Sequence, residues 1–187
     1  MPDFTFITGN AQKLEYLQKW LGTPVKHQKI DLDEIQSLDP HAVADHKVRQ
    51  AYEIVGGPVL IDDVSLVFTA MGHLPGTFIK WFIDDLGLPG LCDLAGRLEH
   101  QKATCSITYA LFDGETIQYF EAEQNGTIAD VPRGTNGFGW NAIFIPDGTP
   151  LTYAEMDDAT FAEWNIRAHA VKKLRVYLDT NLVSGKS

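Results

Sequence analysis

The sequence predicts an α/β protein with a mixed, twisted central sheet and flanking helices. Two observations favour this class. Apolar residues alternate between helical and strand spacing along all 187 residues, and helix-linked strands come first whereas a hairpin follows. No repeat and no Pro/Gly/Ser-rich linker interrupts the chain. We therefore expect residues 1–187 to form a single domain, either one body or one domain pinched into two lobes.

The first part of the chain predicts two strands and two helices. Phe4 to Ile7 is a short apolar strand, which Thr8-Gly9-Asn10 ends before a first helix. A second helix follows Pro40 and ends at Gly56-Gly57. Pro58 to Ile61 is a short continuous apolar run, typical of a central strand buried on both faces. The helical stripes are Leu14, Leu17, Trp20 and Leu21, then Ala44, Val48, Ala51, Tyr52 and Val55.

The second part predicts two more helices, a hairpin and a final helix. The two helices are separated by Gly87-Leu88-Pro89-Gly90. Alternating apolar residues then predict two strands joined by a turn at Asp113-Gly114. The stripes are Phe78, Phe82 and Leu86; Leu91, Leu94, Ala95 and Leu98; Cys105, Ile107, Tyr109 and Leu111; Ile117 to Gln124; and Val171, Leu174 and Leu178.

Charge and composition exclude several classes of protein. The formal net charge of −10 disfavours nucleic acid as a partner, because nucleic-acid affinity depends largely on a basic surface. No apolar stretch is long enough to cross a bilayer, so we expect no membrane partner. The two cysteines show no paired spacing, and Met1-Pro2-Asp3-Phe4 has no signal-peptide pattern, so we expect a cytoplasmic protein. A small anionic substrate stays compatible with this charge if a bound metal adds positive charge.

A first candidate site is the turn Thr8-Gly9-Asn10-Ala11-Gln12-Lys13. Here a glycine lets the backbone approach a ligand, free amides at a helix N-terminus face it, and Lys13 adds a full charge. This turn could therefore hold phosphate. The alternative is an Asn N-cap followed by a solvated lysine.

A second candidate site is Asp62-Asp63, which we expect directly after the buried strand. Ligands of open α/β sheets bind beyond the carboxyl ends of strands, and Mg²⁺ takes one or two carboxylates together with water and phosphates. Glu34, from a neighbouring loop, would add another acid. Since strand residues alternate faces, we expect only one of the pair to point into the site. The alternative is a helix cap or solvated loop acids.

A third candidate site is Gly137-Phe138-Gly139-Trp140-Asn141. Glycines beside large aromatic side chains leave the rings open to stack on a nucleobase. The alternative is a turn whose aromatic side chains lie in the core. Lys47 and Lys80 are further candidates for phosphate contacts, with solvated helix faces as the alternative.

Together these segments resemble the inosine triphosphate pyrophosphatase family, also called noncanonical purine nucleoside triphosphate pyrophosphatases, and its eukaryotic-type branch in particular. They follow the family's order along nearly the whole chain. The residues that carry the resemblance are Thr8-Gly9-Asn10-Ala11-Gln12-Lys13, Lys29-Ile30-Asp31-Leu32 with Glu34, Gly57-Pro58-Val59-Leu60-Ile61-Asp62-Asp63, Leu74-Pro75-Gly76 with Ile79-Lys80-Trp81-Phe82, Pro132-Arg133-Gly134, Phe138-Gly139-Trp140, Pro146-Asp147-Gly148 and Tyr153-Ala154-Glu155-Met156.

The resemblance implies hydrolysis of a purine nucleoside triphosphate such as ITP, dITP or XTP to the monophosphate and pyrophosphate. It implies Mg²⁺ as cofactor, with Mn²⁺ as a second candidate, and a homodimer whose substrate cleft lies between two lobes. The implied catalytic residues are Asp63, Lys13 and Asp62, and the implied metal ligands are Glu34 and Asp63. The implied substrate-binding residues are Thr8, Gly9, Asn10, Ala11, Gln12, Lys13, Lys47, Asp63, Val64, Lys80, Phe138, Gly139, Trp140, Asn141, Ile166 and Arg167.

The sequence departs from the family pattern mainly where the base should bind. Asn141 stands at an Asp position, and Val64 replaces the Thr or Ser that follows the catalytic Asp. Phe161-Ala162 and Asn165-Ile166-Arg167 stand where the family has Lys-Asn and Ser-His-Arg. We therefore expect a weaker preference for inosine and xanthosine triphosphates over the common purine nucleotides, or a shift to a different modified base. The alternative is that a neighbouring segment, or Arg167 alone, restores the usual contacts and leaves the specificity unchanged. The alternatives are the same reaction on another nucleotide, or a nucleotide sensor with weakened catalysis.

Overall fold

The computed structural model describes residues 3–184, with side chains to residue 180. Met1 and Pro2, part of the segment used to predict the cytoplasmic location, lie outside the described residues. The strands are β1 (Thr5–Ile7), β2 (Lys26–Gln28), β3 (Val59–Phe68), β4 (Pro75–Gly76), β5 (Lys102–Phe112), β6 (Ile117–Ile128) and β7 (Phe144–Pro146). The helices are α1 (Ala11–Leu21), α2 (Pro40–Val55), α3 (Ile79–Gly96), α4 (Asp158–Trp164) and α5 (Ile166–Ser184).

The strands form one mixed sheet in the order β2-β1-β3-β5-β6-β7, with β4 also paired to β3. β1 runs parallel to β2 and β3, since helices α1 and α2 return the chain to the same end of the sheet. β3, β5, β6 and β7 pair antiparallel, and β5 and β6 form the predicted hairpin with its turn at Asp113. The predicted α/β class with a mixed sheet is therefore confirmed.

Local sequence signals set the helix ends. The Asn10 side chain caps α1 by accepting hydrogen bonds from two backbone amides, and Asp39 caps α2 in front of Pro40. Both helices end at glycines of positive φ, Gly22 and Gly56. Helix α3 changes direction at Gly87, which has non-helical backbone angles, so the predicted break between two helical segments is present.

The core has two layers, one on each face of the sheet. The larger contains Phe6, Leu17 and Tyr153, whereas the smaller packs Ala44 and Val48 of α2 against the other face. Strand β3 contributes to both layers because its side chains alternate. Leu60 and Leu66 belong to the larger layer, and Val59 and Ile61 to the smaller. Two adjacent residues on β3 therefore point to opposite sides of the sheet.

The structure differs from the predicted elements in one important place. β3 continues through residue 68, so Asp62 and Asp63 lie inside a ten-residue strand and not beyond its end. Sequence reasoning ended the strand at Ile61 because charged residues are rare in the interior of a sheet. β2 was also missed, since Lys26, His27 and Gln28 are all exposed and carry no apolar alternation. Among the described residues, no helix has the length and apolarity needed to cross a membrane.

Candidate active site

A cavity of about 360 Å³ collects most of the predicted site residues. Its charged side chains come from β3, from the helices α1, α2, α3 and α5, and from the loop before α2, and the segment before β7 supplies much of the rest. The lining residues are Asn10, Lys13, Tyr16, Glu34, Lys47, Asp63, Val64, Thr77, Ile79, Lys80, Ile83, Asp84, Phe138, Gly139, Trp140, Asn141, Asn165, Ile166 and Arg167.

Glu34, Lys47 and Asp63 form an acidic cluster at the cavity wall. The Lys47 ammonium donates to Glu34 Oε1 at 2.9 Å and lies 3.7 Å from Asp63 Oδ1. Lys47 comes from α2, which packs on the face of β3 that Asp63 shares with Ile61. With one ammonium and two carboxylates, the acidic cluster has a net charge of −1.

The pKa shifts within the acidic cluster reflect burial and ion pairing. Burial raises the pKa of Asp63, and the neighbouring ammonium groups of Lys47 and Lys13 do not fully offset it. For Glu34, burial favours the neutral form, but its hydrogen bond with Lys47 and the Lys47 charge outweigh burial. For Lys47, burial also favours the neutral form, but the charge of Asp63 and the ion pair with Glu34 outweigh it. The pKa of Glu34 is therefore lowered and that of Lys47 raised. Of these carboxylates, only the pKa of Asp63 moves in the direction that suits a proton acceptor.

Lys13, Asp62 and Arg167 form a cationic cluster on the other face of β3. Lys13 Nζ donates to Asp62 Oδ1 at 3.0 Å, and the Arg167 guanidinium donates to Asp62 Oδ2. The Asp62 side chain is only 2% exposed, and it does not line the cavity, whereas both cations do. Two positive charges and one carboxylate leave this cluster with a net charge of +1.

Asp62 is a poor candidate for proton transfer. Burial alone would raise its pKa, but Lys13 and Arg167 outweigh burial and hold the pKa of Asp62 far below its ordinary value. Burial also lowers the pKa of Lys13, against the opposing influence of Asp62. The structure thus gives two adjacent acids opposite environments, because alternation along β3 points them to opposite faces.

The turn Thr8 to Lys13 has the Asn N-cap of the alternative interpretation, whereas its lysine lines the cavity. The backbone amides of Gln12 and Lys13 donate to Asn10 Oδ1 at 2.9 and 3.2 Å, so the N-cap occupies two amides that we expected to be free. Thr8 Oγ1 accepts a hydrogen bond from the Asn10 amide. Of this turn, only Asn10 and Lys13 line the cavity, and Thr8, Gly9, Ala11 and Gln12 do not.

The other end of the cavity is aromatic. The Phe138 ring stacks with Tyr16 at a centroid distance of 6.0 Å, and the Arg167 guanidinium carbon lies 5.3 Å from the centre of the Phe138 ring. Trp140 is only 7% exposed and packs on Phe144 and Tyr153 in the core. The prediction that glycines leave both rings open therefore fits the half-buried Phe138 and is wrong for Trp140.

Three side chains at this end bear on base recognition. Asn141 is 8% exposed, lines the cavity, and its carboxamide makes no hydrogen bond to another residue within 3–180. Asn165 Oδ1 accepts from the Arg167 amide at 2.8 Å. Ile166 is buried and apolar. Phe161 packs in an aromatic cluster with Tyr16 and is absent from the cavity wall. It therefore does not form part of the base-binding wall, contrary to what we expected from its position in the family pattern.

Ser65 does not replace the hydroxyl that is missing at Val64. Val64 lines the cavity and packs against the larger core layer. Ser65, the next residue of β3, points to the opposite face and is not part of the cavity wall.

Sequence reasoning missed Tyr16, Thr77, Ile83 and Asp84, which also line the cavity. Tyr16 follows Lys13 by three residues on α1, and this spacing places both side chains on one helix face. That spacing was the available signal for Tyr16. Thr77 is placed by its hydrogen bond to the Ser37 carbonyl, a contact between distant segments that the sequence pattern does not reveal.

The residues present fit a divalent cation that draws part of its coordination from a ligand. Within residues 3–180, no group of three or more His, Cys, Asp or Glu side chains is arranged to hold a metal ion. Glu34 and Asp63 provide two carboxylates beside one ammonium. Mg²⁺ commonly binds through one or two carboxylates, with water and phosphate oxygens completing its octahedron. Two hard oxygen donors in a cluster of net negative charge satisfy that requirement.

Fold and site together define a class: a mixed α/β protein whose ligand cavity has charged clusters at one end and aromatic rings at the other. The profile of the Ham1 family matches residues 4–177. The chain therefore belongs to the Ham1 family.

Several relatives resemble the chain over nearly its full length. It is 38% identical over 193 residues to the inosine triphosphate pyrophosphatase of Scheffersomyces stipitis, with 95% of this chain and 98% of that protein covered. It is 39% identical over 179 residues to the enzyme of the same name from Schizosaccharomyces pombe, with 94% of each chain covered. The Ham1 protein of Staphylococcus aureus has the same fold, with a TM-score of 0.81 at 20% identity over 95% of this chain and 98% of its own.

Proposed function

We propose that this protein is a Mg²⁺-dependent nucleoside triphosphate pyrophosphatase that acts on noncanonical purine nucleotides. The reaction is attack of water on the α-phosphate, with pyrophosphate as the leaving group and the nucleoside monophosphate as the second product. Family membership and the relatives named inosine triphosphate pyrophosphatase support this reaction. The observation that carries the proposal is the cavity itself, in which an acidic cluster, a cationic cluster and an aromatic wall meet.

In this proposal the charged residues have separate roles. Asp63 orients the attacking water and accepts its proton, and burial supports that role by raising the pKa of Asp63. Lys13 and Lys80, which both line the cavity, offset the negative charge that develops on the pyrophosphate. Glu34 and Asp63 would hold Mg²⁺, whose contribution there is to neutralise phosphate oxygens. The Phe138 ring offers a stacking surface for the base.

The reaction is tested by product identity. Inosine, xanthosine, guanosine and adenosine triphosphates are incubated with the protein, with and without Mg²⁺, and the products are followed by phosphorus NMR. We expect pyrophosphate as the first phosphate product, in the presence of Mg²⁺ only. Orthophosphate as first product would contradict the assignment as a pyrophosphatase. The absence of turnover of any triphosphate would contradict the assignment as an enzyme. Nucleotide binding without turnover would instead favour the nucleotide sensor that the departures at Asn141 and Ile166 leave as the second candidate.

The role of Asp63 is tested by Asp63→Asn. We expect turnover to fall by about 10²- to 10⁴-fold, the range of a lost general base, while nucleotide binding is largely kept because both lysines remain. Asp85→Asn is the matched control, since Asp85 is exposed and does not line the cavity. Near-full activity of Asp63→Asn would show that another group accepts the proton.

The proposal also covers organisation and location. We propose that the whole chain is one pyrophosphatase domain, that it works as a homodimer in the cytoplasm, and that its substrate is a free nucleotide and not a nucleic acid. The resemblance to the family supports the dimer, and the net charge of −10 supports the exclusion of nucleic acid. Sedimentation velocity measures the oligomeric state.

A further inference from the structure

Asp62 connects the two ends of the cavity without lining it. Its two carboxylate oxygens each accept from a different cation, one from Lys13 of α1 and one from Arg167 of α5. Asp62 and Arg167 are strongly buried, with side chains 2% and 7% exposed, whereas the Lys13 side chain is partly buried at 21%. A carboxylate so enclosed touches no substrate, yet both of its partners do face the cavity.

The two partners of Asp62 serve different ends of the site. Lys13 lies near the acidic cluster, where the negative charge of Asp63 acts on its ammonium. The Arg167 guanidinium carbon lies 5.3 Å from the centre of the Phe138 ring, at the aromatic end. One buried carboxylate therefore divides its hydrogen bonds between a residue of the phosphate end and a residue of the base end.

The charge balance makes these two cations interdependent. With both present, the cationic cluster has a net charge of +1, so one positive charge is left for a ligand. If Arg167 lost its charge, Asp62 would be neutralised by Lys13 alone and the cluster would be neutral. A buried carboxylate holds its remaining partner more firmly when the other is removed, because an uncompensated buried charge is costly. The Lys13 ammonium would then attract a phosphate less strongly.

We propose that Asp62 is a positioning residue that couples the base end to the phosphate end, with Arg167 keeping Lys13 available for phosphate by sharing the charge of Asp62. This inference rests on the proposed function, since it takes the cavity to hold a triphosphate. It replaces the catalytic role that the family resemblance implies for Asp62. It also gives Arg167 an effect on phosphate binding that requires no contact between Arg167 and phosphate.

The test uses inorganic tripolyphosphate, a ligand with neither base nor sugar, measured by titration calorimetry in Mg²⁺. Arg167→Met should weaken its binding by about tenfold or more, within the range typical of coupled sites. Arg167→Lys keeps the net charge of the cluster at +1 and should therefore bind tripolyphosphate more tightly than Arg167→Met does. The double variant Asp62→Asn with Arg167→Met restores a net charge of +1 and should return to within about threefold as well.

Each variant excludes a different explanation. If Arg167 acts only on the base, Arg167→Met binds tripolyphosphate as the original protein does. If Arg167 contacts phosphate directly, the double variant stays as weak as Arg167→Met. Either result overturns the coupling. Circular dichroism and thermal melting verify that each variant is folded, and Arg167→Gln, which keeps an amide donor for Asp62, carries the same prediction if Arg167→Met does not fold. Failure of the original protein to bind tripolyphosphate would count against the proposed function itself.

Discussion

Base selectivity is the property in which we most expect this protein to differ from the family pattern. At the aromatic end, Ile166 is 2% exposed and offers no hydrogen bond to a base. One N–H group of Arg167 is engaged by Asp62, and its guanidinium carbon lies 5.3 Å from the centre of the Phe138 ring. The Asn141 carboxamide has both a donor and an acceptor, and by rotating it can pair with the N1–H and O6 of hypoxanthine or with the N1 and amino group of adenine. These side chains therefore discriminate only weakly between hypoxanthine and adenine.

The expected selectivity of the protein follows from these contacts. Apolar pockets separate near-isosteric substrates by about 10- to 200-fold, whereas sites built on hydrogen bonds reach about 10⁴- to 10⁵-fold. We therefore expect kcat/KM for inosine or xanthosine triphosphate to exceed that for adenosine triphosphate by about 200-fold at most. A steady-state pyrophosphate-release assay over the four purine triphosphates measures this ratio. A preference of several orders of magnitude for the 6-oxo, non-guanine bases would refute the reasoning.

Ile166→His tests the cause of the expected selectivity. The imidazole would add a donor where the resemblance expects one, and a hydrogen bond is worth about 1 kcal/mol net, which corresponds to roughly fivefold. The inosine-to-adenosine ratio of kcat/KM should therefore rise by at least about fivefold. Burying a ring with polar atoms at this site should also lower stability by about 1–3 kcal/mol. Ile166→Val is the control and should leave the ratio unchanged. An unchanged ratio in a folded Ile166→His variant would place the base elsewhere.

Further predictions concern stability and the turn that carries Asn141. Gly137→Ala should reduce both stability and base selectivity, because Gly137 has a φ of +78° and an added Cβ would collide with the Asn141 carboxamide; melting temperature and kcat/KM ratios measure this. Asn10→Ala should cost about 0.5–2 kcal/mol in urea unfolding, through loss of the α1 cap. Burial raises the pKa of the Cys105 thiol to about 12, so the unfolded thiol ionises from about pH 8.5 while the native one stays protonated. Cys105 should then lower the free energy of unfolding by about 1.4 kcal/mol per pH unit between about pH 8.5 and 10. Cys105→Ala should reduce the measured slope by that amount and leave the contribution of Cys92, whose pKa burial raises to about 11.

Residue spacing predicted most of the fold, because the strong apolar stripes of α1, α2 and the β5–β6 hairpin have no competing interpretation. The length of β3 was not predictable from spacing. Asp62 and Asp63 interrupt its apolar pattern. They are tolerated in a central strand because Lys13 of α1 and Lys47 of α2 neutralise their charges. Those ion pairs join residues that are far apart in sequence, so no local sequence pattern predicts them.

The site shows the same division between local and distant information. Lys13 and Asp63 belong to short segments whose residue types are compatible with phosphate and metal chemistry, and the order of these segments along the chain strengthened that interpretation. The core position of Trp140 and the absence of Phe161 from the cavity wall depend on how α4 and the segment before β7 pack. Side-chain direction in such irregular segments follows from tertiary contacts, which periodicity does not encode.

The sequence separation of 105 residues between Asp62 and Arg167 has a consequence for biosynthesis. A ribosome that adds about 5–20 residues per second needs roughly 5–20 s to synthesise that interval. During that time the nascent chain already contains the acidic cluster and Lys13, but not the arginine that completes the cationic cluster. Because Arg167 belongs to α5, and α5 packs against α1, the cationic cluster is complete only after α5 has been synthesised. A nascent chain that stops before Arg167 therefore has a Lys13–Asp62 pair of zero net charge, with no surplus positive charge left for a phosphate.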